Sequence, residues 1–173
     1  MKGKGPTPYA DLSDMMPPYR RHYGRMMTTA DALGGVKALG QKIENGLDWH
    51  SLILEGIPAG VISHMHKKWG LTDEFMARIF GLSAGAVSRK RRRSHMSAGE
   101  RLSLVQGDRL YRIARIIAIA VDIFGNKASA LKWLNSKQTG LGDRVPLDML
   151  QTFPGTAEVE DLLSDIKKAG LKA

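Results

Sequence analysis

Five consecutive cations, Arg89-Lys90-Arg91-Arg92-Arg93, form the most chemically pointed run in this sequence. Ser83, Ala84, Ala86 and Ser88 lead into them, with side chains short enough to let a helix come close to a flat partner. Small residues followed by guanidinium and ammonium groups suit DNA: the cations meet phosphates or guanine edges while the short side chains approach the bases. Ser83, Ala84, Ala86, Ser88, Arg89, Lys90, Arg91, Arg92 and Arg93 are therefore the candidate DNA contacts. A solvated helix end is the alternative for such a run, and the residues before it argue against that.

Reactive groups elsewhere do not assemble into a centre. The chain has no cysteine, which removes disulfides, thiolate nucleophiles and thiolate metal sites and fits a reducing cytoplasm. His64 and His66 are two apart, so on a helix their side chains diverge by about 200° and cannot chelate together, and His95 has no His-x-x-x-His partner. Gly81-Leu82-Ser83-Ala84-Gly85 has the letters of Gly-x-Ser-x-Gly but lies between two helical stretches, so no strand-to-helix elbow frames a serine nucleophile. Gly3-Lys4-Gly5 and Gly34-Gly35 belong to no strand–loop–helix phosphate cradle. The expectation is a protein without metal, cofactor or catalytic activity.

The elements that must position the cations are legible. Thr72 can cap a helix over 73–80, with Asp73 and Glu74 in its first turn, Gly81 breaks it, and Ser83 caps a second helix from Ala84 to about Arg92. Counted from Asp73, Ala77 is fifth, where two crossing helices need a small side chain. Gly81 is ninth, where the turn needs positive φ, and Val87 is fifteenth, where an aliphatic group plugs the gap. The pattern predicts a helix-turn-helix over 72–93 whose second helix carries the cations.

Charge is distributed accordingly. The net +9 is concentrated in residues 1–95, with 15 Lys/Arg against 8 Asp/Glu, while 96–173 carry 11 against 9. A basic half beside a near-neutral half predicts a polyanion partner for the first and a different partner for the second. Residues 1–27, rich in Pro and Gly and carrying Arg20, Arg21 and Arg25, read as a poorly ordered basic arm.

Outside the motif every periodic stretch is helical. A weak amphipathic pattern covers 29–43, a short helix follows Asp48, and Pro58 opens another that ends at Gly70. Ser97-Ala98-Gly99-Glu100 reads as a capping box opening a long helix to Phe124, apolar nearly all round from Ile116 to Val121 and so the most buried. Shorter pieces follow over 127–135 and 146–150, then a last helix capped by Thr156 and stopped by Gly170. The fold class is all-α: a multi-helix bundle divided into 1–27, 28–95 and 96–173. The run Ile113 to Phe124, broken by Arg115 and Asp122, is shorter than the roughly 20 residues of a membrane span, and the basic N-terminus lacks the apolar stretch of a secretory signal. A soluble, cytoplasmic protein is expected.

The tail carries a set of words: Ile123-Phe124-Gly125-Asn126-Lys127, Ala130-Leu131-Lys132-Trp133-Leu134-Asn135, Leu141-Gly142, Arg144-Val145-Pro146-Leu147-Asp148-Met149-Leu150, Thr152 to Gly155, and Val159-Glu160-Asp161-Leu162-Leu163. In combination these resemble the C-terminal toxin-binding domain of the Xre, MbcA and ParS antitoxins, and with the helix-turn-helix the resemblance covers roughly Gly56 to Gly170. Asp143 departs from it where a second Gly is common, and Lys137 where Pro often stands. The resemblance implies an antitoxin that pairs with a RES-type toxin, one that consumes NAD or uses it to ADP-ribosylate a target. It implies that the C-terminal region blocks the toxin's active site and that the protein represses its own operon, as a homodimer within a hetero-oligomeric complex. Carried onto this chain, it places Trp133, Leu141, Arg144, Leu163, Lys167 and Lys168 against the toxin. A cationic end (Lys167, Lys168, Lys172) suits a pocket built for an anionic dinucleotide. The competing reading is a stand-alone helix-turn-helix regulator whose C-terminal domain dimerises.

Overall fold

A computed structural model describes residues 29–96 and 99–170. The basic arm of 1–27, the Ser97-Ala98 pair and Lys172 lie outside those residues. Among the described residues the chain is all-α and has no strand, only two isolated β-bridges, Pro58 with Arg101 and Gln138 with Arg144.

After a helical turn at 29–32 come α1 (Gly35–Leu39), α2 (Gly46–Glu55), α3 (Val61–Trp69), α4 (Asp73–Phe80), α5 (Ala84–Met96) and α6 (Leu104–Phe124). Then follow α7 (Lys127–Leu134), a 3-10 turn (Thr139–Leu141), α8 (Pro146–Met149) and α9 (Phe153–Ala169). Helix α6 is the axis. Ile116 to Ala120 are all buried, and α2, α4, α7 and α9 pack around it. One apolar cluster runs through the molecule from Ala30 to Leu163. Residues buried all round a helix leave it no solvent face, so its neighbours must enclose it.

Helix α2 begins at Gly46, ahead of Asp48, because Asn45 caps it and Asp48 completes the capping box, and α5 runs past Arg92 to Met96. Three further boundaries differ from the sequence reading, each for a local reason. The long helix begins at Leu104, not near Ser97. The amide of Ala59 donates to Glu100 O and that of Leu102 to Ile57 O, both at 2.8 Å, so 100–102 are held extended against 57–59. Ser103 and Gln106 then form the capping box. For the same reason Pro58 sits in the bridge, and α3 starts three residues later. The last helix starts at Phe153, capped by Thr152, whose hydroxyl oxygen accepts the Gly155 amide at 3.1 Å. Pro154 in the first turn has no amide to leave unpaired, so it does not break the helix. Thr156 is buried within it and donates its hydroxyl to Thr152 O.

Candidate DNA interface and partner surface

Helices α4 and α5 build the first surface. Thr72 caps α4 by accepting the Phe75 amide at 3.1 Å. Gly81 turns the chain at φ +66°, where Cβ-bearing residues are strained, and the Leu82 amide closes on Ala77 O at 3.0 Å. Ser83 caps α5 through the Ala86 amide at 3.2 Å. Ala77 and Val87 are buried where the two helices cross. The fifth, ninth and fifteenth positions thus do what helix-turn-helix geometry asks of them. In the last turn of α4 the Arg109 guanidinium, projecting from α6, donates to Ile79 O at 2.8 Å and satisfies a terminal carbonyl.

Helix periodicity sorts the cation run into two faces. Val87, Lys90, Arg91 and Ser94 point inward. Arg91 takes both oxygens of Asp73, with Nε at 3.1 Å and Nη2 at 2.8 Å. This hydrogen bonding holds the Asp73 carboxyl below its usual value and raises the Arg91 guanidinium above its own. Lys90 reaches Glu100 at 3.3 Å and Arg101 O at 3.1 Å. These two cations fasten α5 to its supports. Arg89, Arg92 and Arg93 occupy the opposite face and are exposed, and among the described residues no carboxylate pairs with them. Ser83 is exposed on the leading turn, and Ala84, Ala86 and Ser88 are half-buried. Gly85 sits one turn before Arg89 on the outward stripe and is exposed. The sequence alone does not single it out, because a glycine inside a helix reads only as a weak helix former.

The second surface is the α6–α9 face with the loop before α8. Three links tie α9 alongside α6. Arg112 lies 5.9 Å over the Phe153 ring, Arg115 grips Glu160 with both nitrogens (one limb at 2.6 Å), and Lys167 meets Asp122 at 2.7 Å. Of the six side chains expected against a partner, three are interior. Trp133 stacks on Phe124 with ring centroids 5.5 Å apart, Leu141 closes the 3-10 turn over the core, and Leu163 is fully buried under α9. They shape the surface from beneath it. Arg144 is exposed and donates to Leu141 O at 3.3 Å, and Lys167 and the Asp165-paired Lys168 are exposed too. Asp143 adopts φ +56°, alone among described non-glycine residues in having positive φ, a backbone conformation that favours glycine. No described helix is long and apolar enough to cross a membrane.

Comparison with known proteins matches both halves. Residues 48–115 match the family model described as the antitoxin Xre-like helix-turn-helix domain, and 120–168 that of the antitoxin Xre/MbcA/ParS C-terminal toxin-binding domain. An antitoxin Xre of Yersinia enterocolitica is 30% identical over 113 residues, covering 65% of this chain and 73% of that protein. An antitoxin Xre of Pseudomonas putida is 26% identical over 125 residues, 72% of this chain and 74% of its own length. A third, from Photorhabdus laumondii, is 25% identical over 132 residues, 76% and 86% respectively.

Proposed function

The chain belongs to the Xre/MbcA/ParS family of antitoxins, a regulatory rather than an enzymatic family, and we propose on that premise that it silences a RES-type toxin and represses its own operon. The observation that carries this reading is the division of labour within α5. Two cations brace the helix-turn-helix, and three are left outward on one stripe, beside a tail matched to a toxin-binding domain.

In the repressor role α5 lies in the major groove. Gly85, Ala86 and the Ser83 turn approach base edges, and Arg89, Arg92 and Arg93 meet phosphates or guanines. Helix-turn-helix half-sites come in pairs, so the bound form is a homodimer. In the inhibitory role the tail covers the toxin's NAD site. Arg144, Lys167 and Lys168 supply cations to a pocket built for an anionic dinucleotide, and Trp133, Leu141 and Leu163 hold the backbone that presents them. The reaction blocked is consumption of NAD, by degradation or by transfer of ADP-ribose. The stand-alone regulator remains the competitor, and the match of 120–168 to a toxin-binding domain favours the antitoxin.

The test is affinity capture of the full chain co-expressed with a catalytically inactivated form of the adjacent gene's product, the proposed RES-type toxin, together with gel shifts on its own promoter. A stable complex and a salt-sensitive shift are expected. A promoter shift with no complex overturns the inhibitory half and leaves a stand-alone regulator.

A further inference from the structure

Within the segment matched to the toxin-binding domain, Phe153 stands out: among the described residues of 120–168 it is the one large hydrophobic side chain left exposed, at 69%. Its backbone is also fixed. Phe153 is the first residue of α9, and the Thr152 hydroxyl caps the turn on the Gly155 amide. Gly155 lies so close to Met149 O that a Cβ there would fall 2.2 Å from it. Across the ring lies the Arg112 guanidinium, itself held by Asp108 at 2.8 Å. Arg112 belongs to the segment matched to the helix-turn-helix domain, so the platform joins the two halves of the chain.

We infer that Phe153, backed by Arg112, is the aromatic anchor with which this antitoxin seats itself in an apolar pocket of its toxin, an inference that rests on the antitoxin reading above. Three physical arguments support it. An aromatic ring left in water forgoes the gain of burying a large apolar area, which a complementary pocket would recover. Aromatic and arginine side chains are the groups on which binding energy concentrates. A ring carried on a fixed backbone also loses less conformational freedom on docking than one on a mobile segment. The toxin is the occupant because the exposed ring lies in the segment whose family model is described as toxin-binding, and on the same α6–α9 face as the exposed Lys167.

The experiment titrates the full chain, as wild type, Phe153→Ala, Phe153→Leu and Arg112→Lys, against a catalytically inactivated form of the adjacent gene's product, the proposed RES-type toxin. Promoter affinity and thermal unfolding are measured on the same samples. Phe153→Ala is expected to weaken toxin binding by about 30-fold or more. Phe153→Leu and Arg112→Lys should fall between it and wild type, with promoter affinity and Tm unmoved. Wild-type binding that Phe153→Ala alters less than about twofold overturns the anchor while leaving the antitoxin reading intact. Loss of self-association in Phe153→Ala with toxin binding kept assigns the ring to a second copy of the chain and overturns it too. Failure of the wild type itself to bind overturns the antitoxin reading, and the anchor falls with it.

Discussion

Arg91, in the middle of the helix that carries the cation run, holds Asp73 at the start of the preceding helix through two hydrogen bonds of 3.1 and 2.8 Å. The two residues are 18 apart in sequence, and their contact fixes the angle between α4 and α5 from outside the core. Asp73 also sits at the positive end of α4, so the carboxylate answers to the helix dipole and the guanidinium together. This pair sets how the outward arginines are aimed.

Replacing Asp73 with Asn should therefore cost about 1.5 kcal/mol of stability at neutral pH, the scale of a lost charge-assisted hydrogen bond. The Asp73 carboxyl is depressed from the usual 3.8 in the folded protein, so its contribution is present above about pH 4 and fades as pH falls through the lower folded value. Urea unfolding of wild type and variant at pH 7, 5 and 3 checks this. The gap should be full at pH 7 and 5 and narrow at pH 3. A gap independent of pH contradicts the pair's electrostatic role.

Arg89, Arg92 and Arg93 point outward while Lys90 and Arg91 are engaged. Alanine at each of the first three should weaken promoter binding and flatten its dependence on salt, by about 0.9 in slope for each phosphate contact removed. Lys90→Ala should leave the slope nearly unchanged and lower Tm instead. Gel shifts over a range of salt concentrations separate the two classes.

Trp133→Ala tests whether this tryptophan is interior. Removing a buried indole stacked on Phe124 should destabilise by about 3 kcal/mol or more. Any loss of toxin binding should then track the loss of folded protein, and return when the assay is cooled to where the variant is folded. Binding lost with Tm unchanged would mean that Trp133 touches the partner directly.

Gly155→Ala should be among the most damaging single-methyl additions in the tail. The new Cβ meets Met149 O, a backbone atom that cannot rotate away. The expected penalty is about 2 kcal/mol, at the upper part of the range for overpacking, and a thermal melt reads it. Gly170→Ala, where φ is +64° with open space around, should cost only the left-handed backbone penalty of about 1 kcal/mol.

Much of this was legible in the residues. The helix-turn-helix followed from Thr72, Ala77, Gly81, Ser83 and Val87, because caps, turns and crossing points are local requirements that a sequence states directly. The burial of α6 followed from Ile116 to Val121 for the same reason, although Val121 itself is only half-buried. What was not legible depends on distant partners. Nothing near Ser97 says that 100–102 pair with 57–59, so Ser97-Ala98-Gly99-Glu100 reads as a capping box although the helix is capped at Ser103. Five adjacent cations look alike until Asp73 and Glu100 are placed, and only then do Lys90 and Arg91 separate from the rest. In the tail, the resemblance places Trp133, Leu141 and Leu163 against a partner, yet these apolar side chains are buried in the core. Exposure of Phe153 comes from its place on the first turn of α9, which a start assigned to Thr156 concealed.

The most direct test of the central claim is the NAD content of cells expressing the product of the adjacent gene, the proposed RES-type partner, alone or together with this chain. Expressed alone, that protein should drain NAD and stop growth. With the full chain both should be restored, whereas a chain truncated from Asp165 onward should fail to restore them. NAD that falls equally with and without the full chain, or a neighbour that leaves NAD untouched, would contradict the account.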